Sequence, residues 1–445
     1  MNSNASRKTQ RLPKTTCDAA RRTFKKSWTA RSSWSTNCSR KRRKKSWRFN
    51  IVSSPAPPTT APTASALSPT LAIIHLSALA HNLRELRRIL APHVDILAVI
   101  KADGYGHGCC AMADALSQLG IRRFGVATVH EGVLLREAGR LEDIIVMGGI
   151  LPEQAKDLVQ ANLIPVLSDA DTMQALSREV VQEHAPYPVH VKVDTGMRRL
   201  GFETGDVPAL LQTPMFAHTF VCQGLMTHLA DADNPDPTFT RHQLDRFHKV
   251  VSTLPTNGPS PCRHSANTAG ILWHPSAHLD MVRPGLLLYG YAPMPGREAP
   301  ISLQPVMSLK TKVVHLKTAG KGEPVSYGDL YRTQRDSRLA VLPIGYAHGY
   351  SRRLSNKGEV IIHDRRFPIV GRICMDMTVV DVTDDPTIKP GDDVILIGKS
   401  ETQAITASDL ASWQDSIPYE VLCNLGPKVP RVYEQAADFT SSVSS

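Results

Sequence analysis

An α/β fold is predicted, a (β/α)8 barrel followed by a mainly β C-terminal domain, and three features of the sequence predict it. From residue 71 short apolar runs alternate with amphipathic segments of helix length, and eight barrel runs follow one another before residue 284. Several stop at polar or reactive side chains: Lys101, Lys192 with Asp194, His228, Ser265 with Asn267, and Arg283. Core packing gives no reason for that clustering, whereas barrels of this class build their sites at the carboxyl ends of the strands. After Arg283-Pro284-Gly285 the pattern changes to β-rich runs separated by Gly, Pro and Asp turns.

In chain order, the run 71–76 precedes the barrel and is free to pair with the β domain instead. Barrel strands are read at about 96–101, 123–128, 143–149, 163–168, 188–194, 220–229, 262–266 and 280–283. Helices lie between them, among others at 130–139, 153–160, 170–181 and 239–254. In the second domain the runs are 306–314, 339–343, 359–362, 367–369, 378–382 and 393–397. The division is therefore an extension over 1–70, a barrel over 71–295, a β domain over 296–433 and a short tail over 434–445.

The formal charge of +11 misleads until it is mapped. Residues 1–70 hold 16 of the 52 Lys/Arg and one acid, Asp18, leaving 36 basic against 40 acidic residues in the body. The body thus gives no electrostatic case for a nucleic-acid partner. The extension is Arg/Lys/Ser-rich to residue 48 and Pro/Thr/Ala-rich over 53–70, a composition that specifies no fold. It resembles a transit peptide, with a basic run like a nuclear signal, or is a dispensable addition; the next methionine after Met1 is Met112. No run of 18 apolar residues indicates a membrane span, and no secretory core follows the basic segment. The eight cysteines lack zinc spacing, so no metal is expected and a reduced, cytoplasmic setting fits.

Lys101 carries the chemistry. A lysine ending a buried strand is desolvated, which lowers its pKa and makes the amine nucleophilic. That suits attachment of an aldehyde cofactor, with Gly-spaced backbone approaching a phosphate. An isolated Ile-Lys-Ala more often marks a lysine snorkelling to solvent; the dense loop Asp-Gly-Tyr-Gly-His-Gly after Lys101 tells against it.

Val99-Ile-Lys-Ala-Asp-Gly-Tyr-Gly-His-Gly108 resembles the pyridoxal-phosphate attachment signature of alanine racemases. So do Lys192-Val-Asp-Thr-Gly-Met-Arg-Arg-Leu-Gly201, Met226-Thr-His228, His264-Ser-Ala-Asn267 and Val282-Arg-Pro-Gly285. Val325-Ser-Tyr-Gly328, Gly345-Tyr-Ala-His-Gly349, Cys374-Met-Asp376, Ile417-Pro-Tyr-Glu420 and Pro430-Arg-Val-Tyr433 continue the match in family order across about 71–433.

The resemblance implies roles. Lys101 holds pyridoxal 5'-phosphate and works on one face of the substrate α-carbon, with Tyr327 as the opposite-face base. Arg283 donates to the pyridine nitrogen, and His228 orients Arg283. Lys192 is carbamylated and positions Arg199, which faces the cofactor phenolic oxygen and the substrate carboxylate. A carbamate accepts from an arginine that a bare ammonium would repel. Tyr105, Ser265, Asn267, the backbone at Gly285 and Leu286, and Tyr419 hold the cofactor. The Met375 amide meets the substrate carboxylate, and Tyr346 lines the entrance. The implied assembly is a homodimer with Tyr327 supplied across the interface, and the implied role is D-alanine for peptidoglycan.

Gly104, Arg198, His348, Asn424 and Gly426 depart from the common pattern, and none is a proposed acid, base or cofactor ligand. Broad-specificity racemases and basic amino-acid decarboxylases share the plan, and a lone barrel with the same lysine suits a non-catalytic cofactor carrier. The β domain with Tyr327 argues against the carrier, which needs no second base. Activity on serine stays open.

Overall fold

A computed structural model describes residues 68–181, 185–254, 260–294 and 296–434. The extension read over 1–70 lies outside these except for its last three residues, as does the tail from 435 onward. Eight parallel strands pair in the order Met281–Val282, Asp95–Val99, Arg123–Val126, Asp143–Val146, Ile164–Leu167, Tyr187–Asp194, Phe220–Met226 and Cys262–His264. The ends of that path meet through Asp280 N–H to Arg263 O at 3.1 Å and Arg283 N–H to Ala266 O at 3.0 Å, so the barrel is nearly closed. Ile164–Leu167 is buried at every position, because helices cover one face of each strand and the opposite face fills the barrel.

Helices fall between the strands where the apolar spacing places them, among them Val129–Glu137, Ala170–Glu179 and Thr238–Ser252. The helix Leu76–Ile89 was not expected. It follows Leu71–His75 with no intervening turn and no side-chain cap at His75, so it carries no start signal. It buries Leu79, Leu83 and Leu86, and its Asn82 is fixed by the carbonyls of Leu288 and Gln304 at 3.0 and 2.8 Å.

The C-terminal sheet runs Arg365–Pro368, Glu359–Ile362, Asp393–Lys399, Met307–Lys312, Leu71–His75 and Arg431–Glu434. Leu71–His75 pairs antiparallel with Met307–Lys312 and parallel with Arg431–Glu434, so the run before the barrel is a central strand of the second sheet. A three-stranded sheet of His315–Ala319, Ser337–Leu342 and Thr378–Asp381 stands beside it. Two helices absent from the sequence reading, Ala407–Gln414 and Pro418–Cys423, complete the domain. No helix among the described residues is long and apolar enough to cross a membrane.

Candidate active site

Lys101 is the second residue beyond its strand, and the backbone then turns left-handed. Ala102, Asp103, Gly104 and Tyr105 all have φ between +52° and +60°. This turn, where a Gly-spaced loop was expected, seats Lys101 in a cavity of about 680 Å³ at the carboxyl ends of the barrel strands. A cavity of that size suits a cofactor together with a small substrate. Lys192, Arg199 and Arg283 share the lining. Burial, with Arg199 second, holds the Lys101 amine below the usual lysine range. Burial and Arg199 likewise bring Lys192 down to about 8.

Arg283 is 4% exposed, and no carboxylate balances it among the described residues. Its guanidinium donates to Thr227 O at 2.8 Å, Ser265 O at 2.9 Å and His264 Nδ1 at 3.1 Å, with His228 Nδ1 at 3.5 Å. Burial lowers it to about 10, so it stays a cation at neutral pH. Because guanidinium only donates, His264 Nδ1 must accept, and its Nε2–H then donates to His190 Nδ1 at 2.9 Å. Burial, with Arg283 next for His228 and His190 then Arg283 for His264, keeps both neutral, far below the usual histidine range. A pyridine nitrogen meeting Arg283 could only accept a hydrogen bond.

Part of the cavity lining is aromatic. Tyr105 is buried with its ring 4.8 Å from Tyr289 and 6.0 Å from Tyr419, and its hydroxyl hydrogen-bonds to no described residue. A Cβ on Gly285 would meet that hydroxyl at 2.4 Å, so only glycine lets the tyrosine lie against this backbone. The short 3-10 turn Leu286–Tyr289 follows, and the amides of Leu286 and Leu287 bond to no carbonyl among the described residues. Four cations with few facing acids, an aromatic wall and free amides suit an anionic aromatic cofactor.

Two expected ligands are placed otherwise. Ser265 is fully buried and donates to Ala277 O at 2.8 Å, outside the cavity lining. Thr268, three residues on, lines the cavity instead, its Oγ1 accepting from Gly285 N–H at 3.2 Å. Asn267 lines the cavity, but it caps Thr268–Trp273 by accepting from Gly270 N–H and donates to Leu229 O, so its amide is spent on the scaffold. Leu286 has a buried side chain and offers only its backbone. Arg199 is exposed on the cavity wall, while its neighbour Arg198 pairs with Glu203.

Tyr327, Tyr346 and Met375 do not line the Lys101 cavity. Tyr327 and Tyr346 share a separate depression with Cys374 on the β domain. They are 70% and 44% exposed, and Met375 is 54% exposed. Ser326 Oγ fixes the Tyr327 turn by donating to Arg372 O at 2.6 Å.

Residues 74–293 match the family described as alanine racemase, N-terminal domain, and residues 306–433 the family described as alanine racemase, C-terminal domain. The chain is 42% identical over 367 residues to an alanine racemase of Halothermothrix orenii, covering 82% of this chain and 97% of that protein. The alanine racemase structure from E. faecalis superposes with a TM-score of 0.78 at 31% identity, covering 82% of this chain and 98% of that one. The alanine racemase of Bartonella henselae, solved with covalently bound pyridoxal phosphate, gives 0.74 at 32% identity over 82% and 99%.

Proposed function

The chain belongs to the alanine racemase family, and on that premise we propose that it interconverts L- and D-alanine with Lys101 and Tyr327 as opposite-face bases. Its cofactor is pyridoxal 5'-phosphate, and the D-alanine serves cell-wall synthesis. Lys101 would hold the cofactor at rest and release it to the substrate amine, and the electron withdrawal that acidifies the α-C–H bond would come from the cofactor. Lys101, poorly basic because it is buried, takes or returns a proton on one face. Tyr327 does the same on the other face, and inversion requires both.

Other residues orient the reactants. Arg283 donates toward the ring nitrogen and is held by acceptors that are all neutral, with His228 steadying it. Tyr105, Tyr419, Thr268 and the Leu286 amide hold the phosphate. Arg199 takes the substrate carboxylate and is steadied by a carbamate on Lys192. At about 8, the Lys192 amine is neutral often enough to combine with carbon dioxide. Met375 supplies its amide and Tyr346 narrows the entrance.

The observation that carries this reading is a buried, uncompensated Arg283 facing the same cavity as Lys101, while Tyr327 stands 70% exposed elsewhere on the chain. That separation supports a homodimer in which each copy lends Tyr327, Tyr346 and Met375 to the other's Lys101 cavity. The test is complementation between Lys101→Ala and Tyr327→Phe, each inactive alone. A two-fold dimer with shared sites has one intact site per mixed dimer, so equal mixing and subunit exchange should restore roughly a quarter of wild-type turnover. Mixed dimers that form but stay inactive would refute the shared site.

A further inference from the structure

We infer that Glu131 is a positioning residue for Lys101, its carboxylate holding the left-handed turn that aims the amine into the cavity. The inference rests on the role given to Lys101 above and adds a residue to that machinery.

The turn is costly on its own. Ala102, Asp103 and Tyr105 are not glycine, yet sit at φ of 52°, 53° and 54°. Left-handed backbone costs an L-residue on the order of 1–2 kcal/mol each, and it persists only where surrounding contacts over-determine it. Contacts inside the turn close it on itself: Gly104 N–H donates to Ile100 O, and Gly106 N–H to Ala102 O. Neither fixes its direction relative to the barrel.

Glu131 does fix that direction. It stands in the first turn of Val129–Glu137, after the neighbouring strand Arg123–Val126. Its Oε1 accepts from Ala102 N–H, the residue after Lys101, at 2.8 Å. Its Oε2 accepts from Ala127 N–H at 2.7 Å and Thr128 N–H at 3.2 Å. One carboxylate thus ties the start of the lysine turn to the loop leaving the adjacent strand. Ile100 N–H, before Lys101, donates to Gly125 O of that strand at 3.0 Å, and Asp103 Oδ1 accepts from Cys109 N–H at 2.8 Å within the same segment, but neither bonds Ala102. A hydrogen bond to a charged acceptor is about twice as strong as a neutral one, so Glu131 is the strongest external restraint on Ala102.

The competing account is that Glu131 only caps its helix, since Thr128 accepts from Glu131 N–H at 3.2 Å in a capping box. The experiment separates them in the holoenzyme by hydrogen–deuterium exchange over residues 100–108 beside steady-state kinetics in both directions. Glu131→Gln keeps the shape but loses the charge, leaving an NH2 facing a backbone N–H. It should speed exchange over 100–108 by about tenfold or more and lower kcat by a similar factor, with KM changed less than about threefold. Thr128→Ala removes the cap and leaves the Ala102 bond. It should lower thermal stability but leave both exchange over 100–108 and kcat within about twofold. If Thr128→Ala reproduces the Glu131→Gln pattern, or Glu131→Gln leaves exchange over 100–108 unchanged, the inference is wrong. Exchange reports the turn even if the wild-type protein racemises nothing, in which case the role of Lys101 fails while the tie is still judged.

Discussion

Lys192 offers the sharpest test, because a bare amine and a carbamate put opposite charges at one buried point. With burial foremost and Arg199 next, the bare amine is held at about 8, against 10.5 for an ordinary lysine. Between those values the unfolded chain binds a proton that the folded chain has released. The unmodified protein therefore gains stability as pH rises from about 8 to about 10.5, and below about 8 it carries the whole penalty. At 1.36 kcal/mol per pH unit that penalty is about 3 kcal/mol, an appreciable part of a domain's net stability. Converting the amine to a carbamate abolishes it and gives Arg199 an acceptor. At pH 7, protein equilibrated in carbon-dioxide-free buffer should unfold at a lower denaturant concentration than protein in bicarbonate. The difference should grow with bicarbonate concentration as RT ln(1 + L/Kd) for carbamate formation, L being dissolved carbon dioxide, and 13C-bicarbonate should give one carbamate resonance. Lys192→Met should ignore bicarbonate and gain less stability from pH 8 to 10.5 than carbon-dioxide-free wild type, the remaining gain coming from Lys101, whose amine burial also holds below the usual range. If wild-type unfolding is the same with and without bicarbonate and no resonance appears, Lys192 remains an amine and Arg199 is placed by something else.

Two further outcomes follow from geometry. Gly285→Ala puts a methyl 2.4 Å from the Tyr105 hydroxyl, and the ring cannot retreat because it packs on Tyr289. Cofactor half-saturation, followed by absorbance, should rise about tenfold or more at a cost of about 1–3 kcal/mol in stability; unchanged cofactor affinity would mean that Tyr105 does not shape the phosphate end. Arg431 donates to four carbonyls, those of Gly106, Leu425, Gly426 and Val429, at 2.6 to 3.0 Å. Arg431→Ala should cost about 1–3 kcal/mol by denaturant unfolding and hasten cofactor release, and Arg431→Lys should not restore either because one ammonium lacks the fork; wild-type values in the alanine variant would refute this.

The barrel was legible because strands buried on both faces read as unbroken apolar runs, Ile164–Leu167 being the plainest. Leu76–Ile89 was not, since it grows out of a strand with neither breaker nor cap between them. Ser265 was expected at the cavity, and the structure turns it to Ala277 O while Thr268, three residues on, lines the cavity. Asn267 was a legible N-cap, and taking it as one would have made Thr268 the first helical residue and turned attention from Ser265 to it. Thr128 and Glu131 show a capping box in sequence, yet nothing local says that the same carboxylate reaches Ala102. The His190–His264–Arg283 chain joins residues 74 and 19 positions apart, and its tautomers follow only once the distances are known. Tyr327 was singled out by the resemblance, and its separation from the Lys101 cavity belongs to the fold.

The last strand has a bearing on how the protein is made. Arg431 Nε donates to Gly106 O at 3.0 Å and the Tyr433 hydroxyl to His107 O at 3.0 Å, so the loop behind Lys101 is secured by residues more than 320 positions later. On the ribosome the barrel emerges long before that strand does, and the loop waits without its rear fastening until translation is nearly over. A chain stopped short of residue 431 has the lysine but lacks both of these bonds to the loop that follows it.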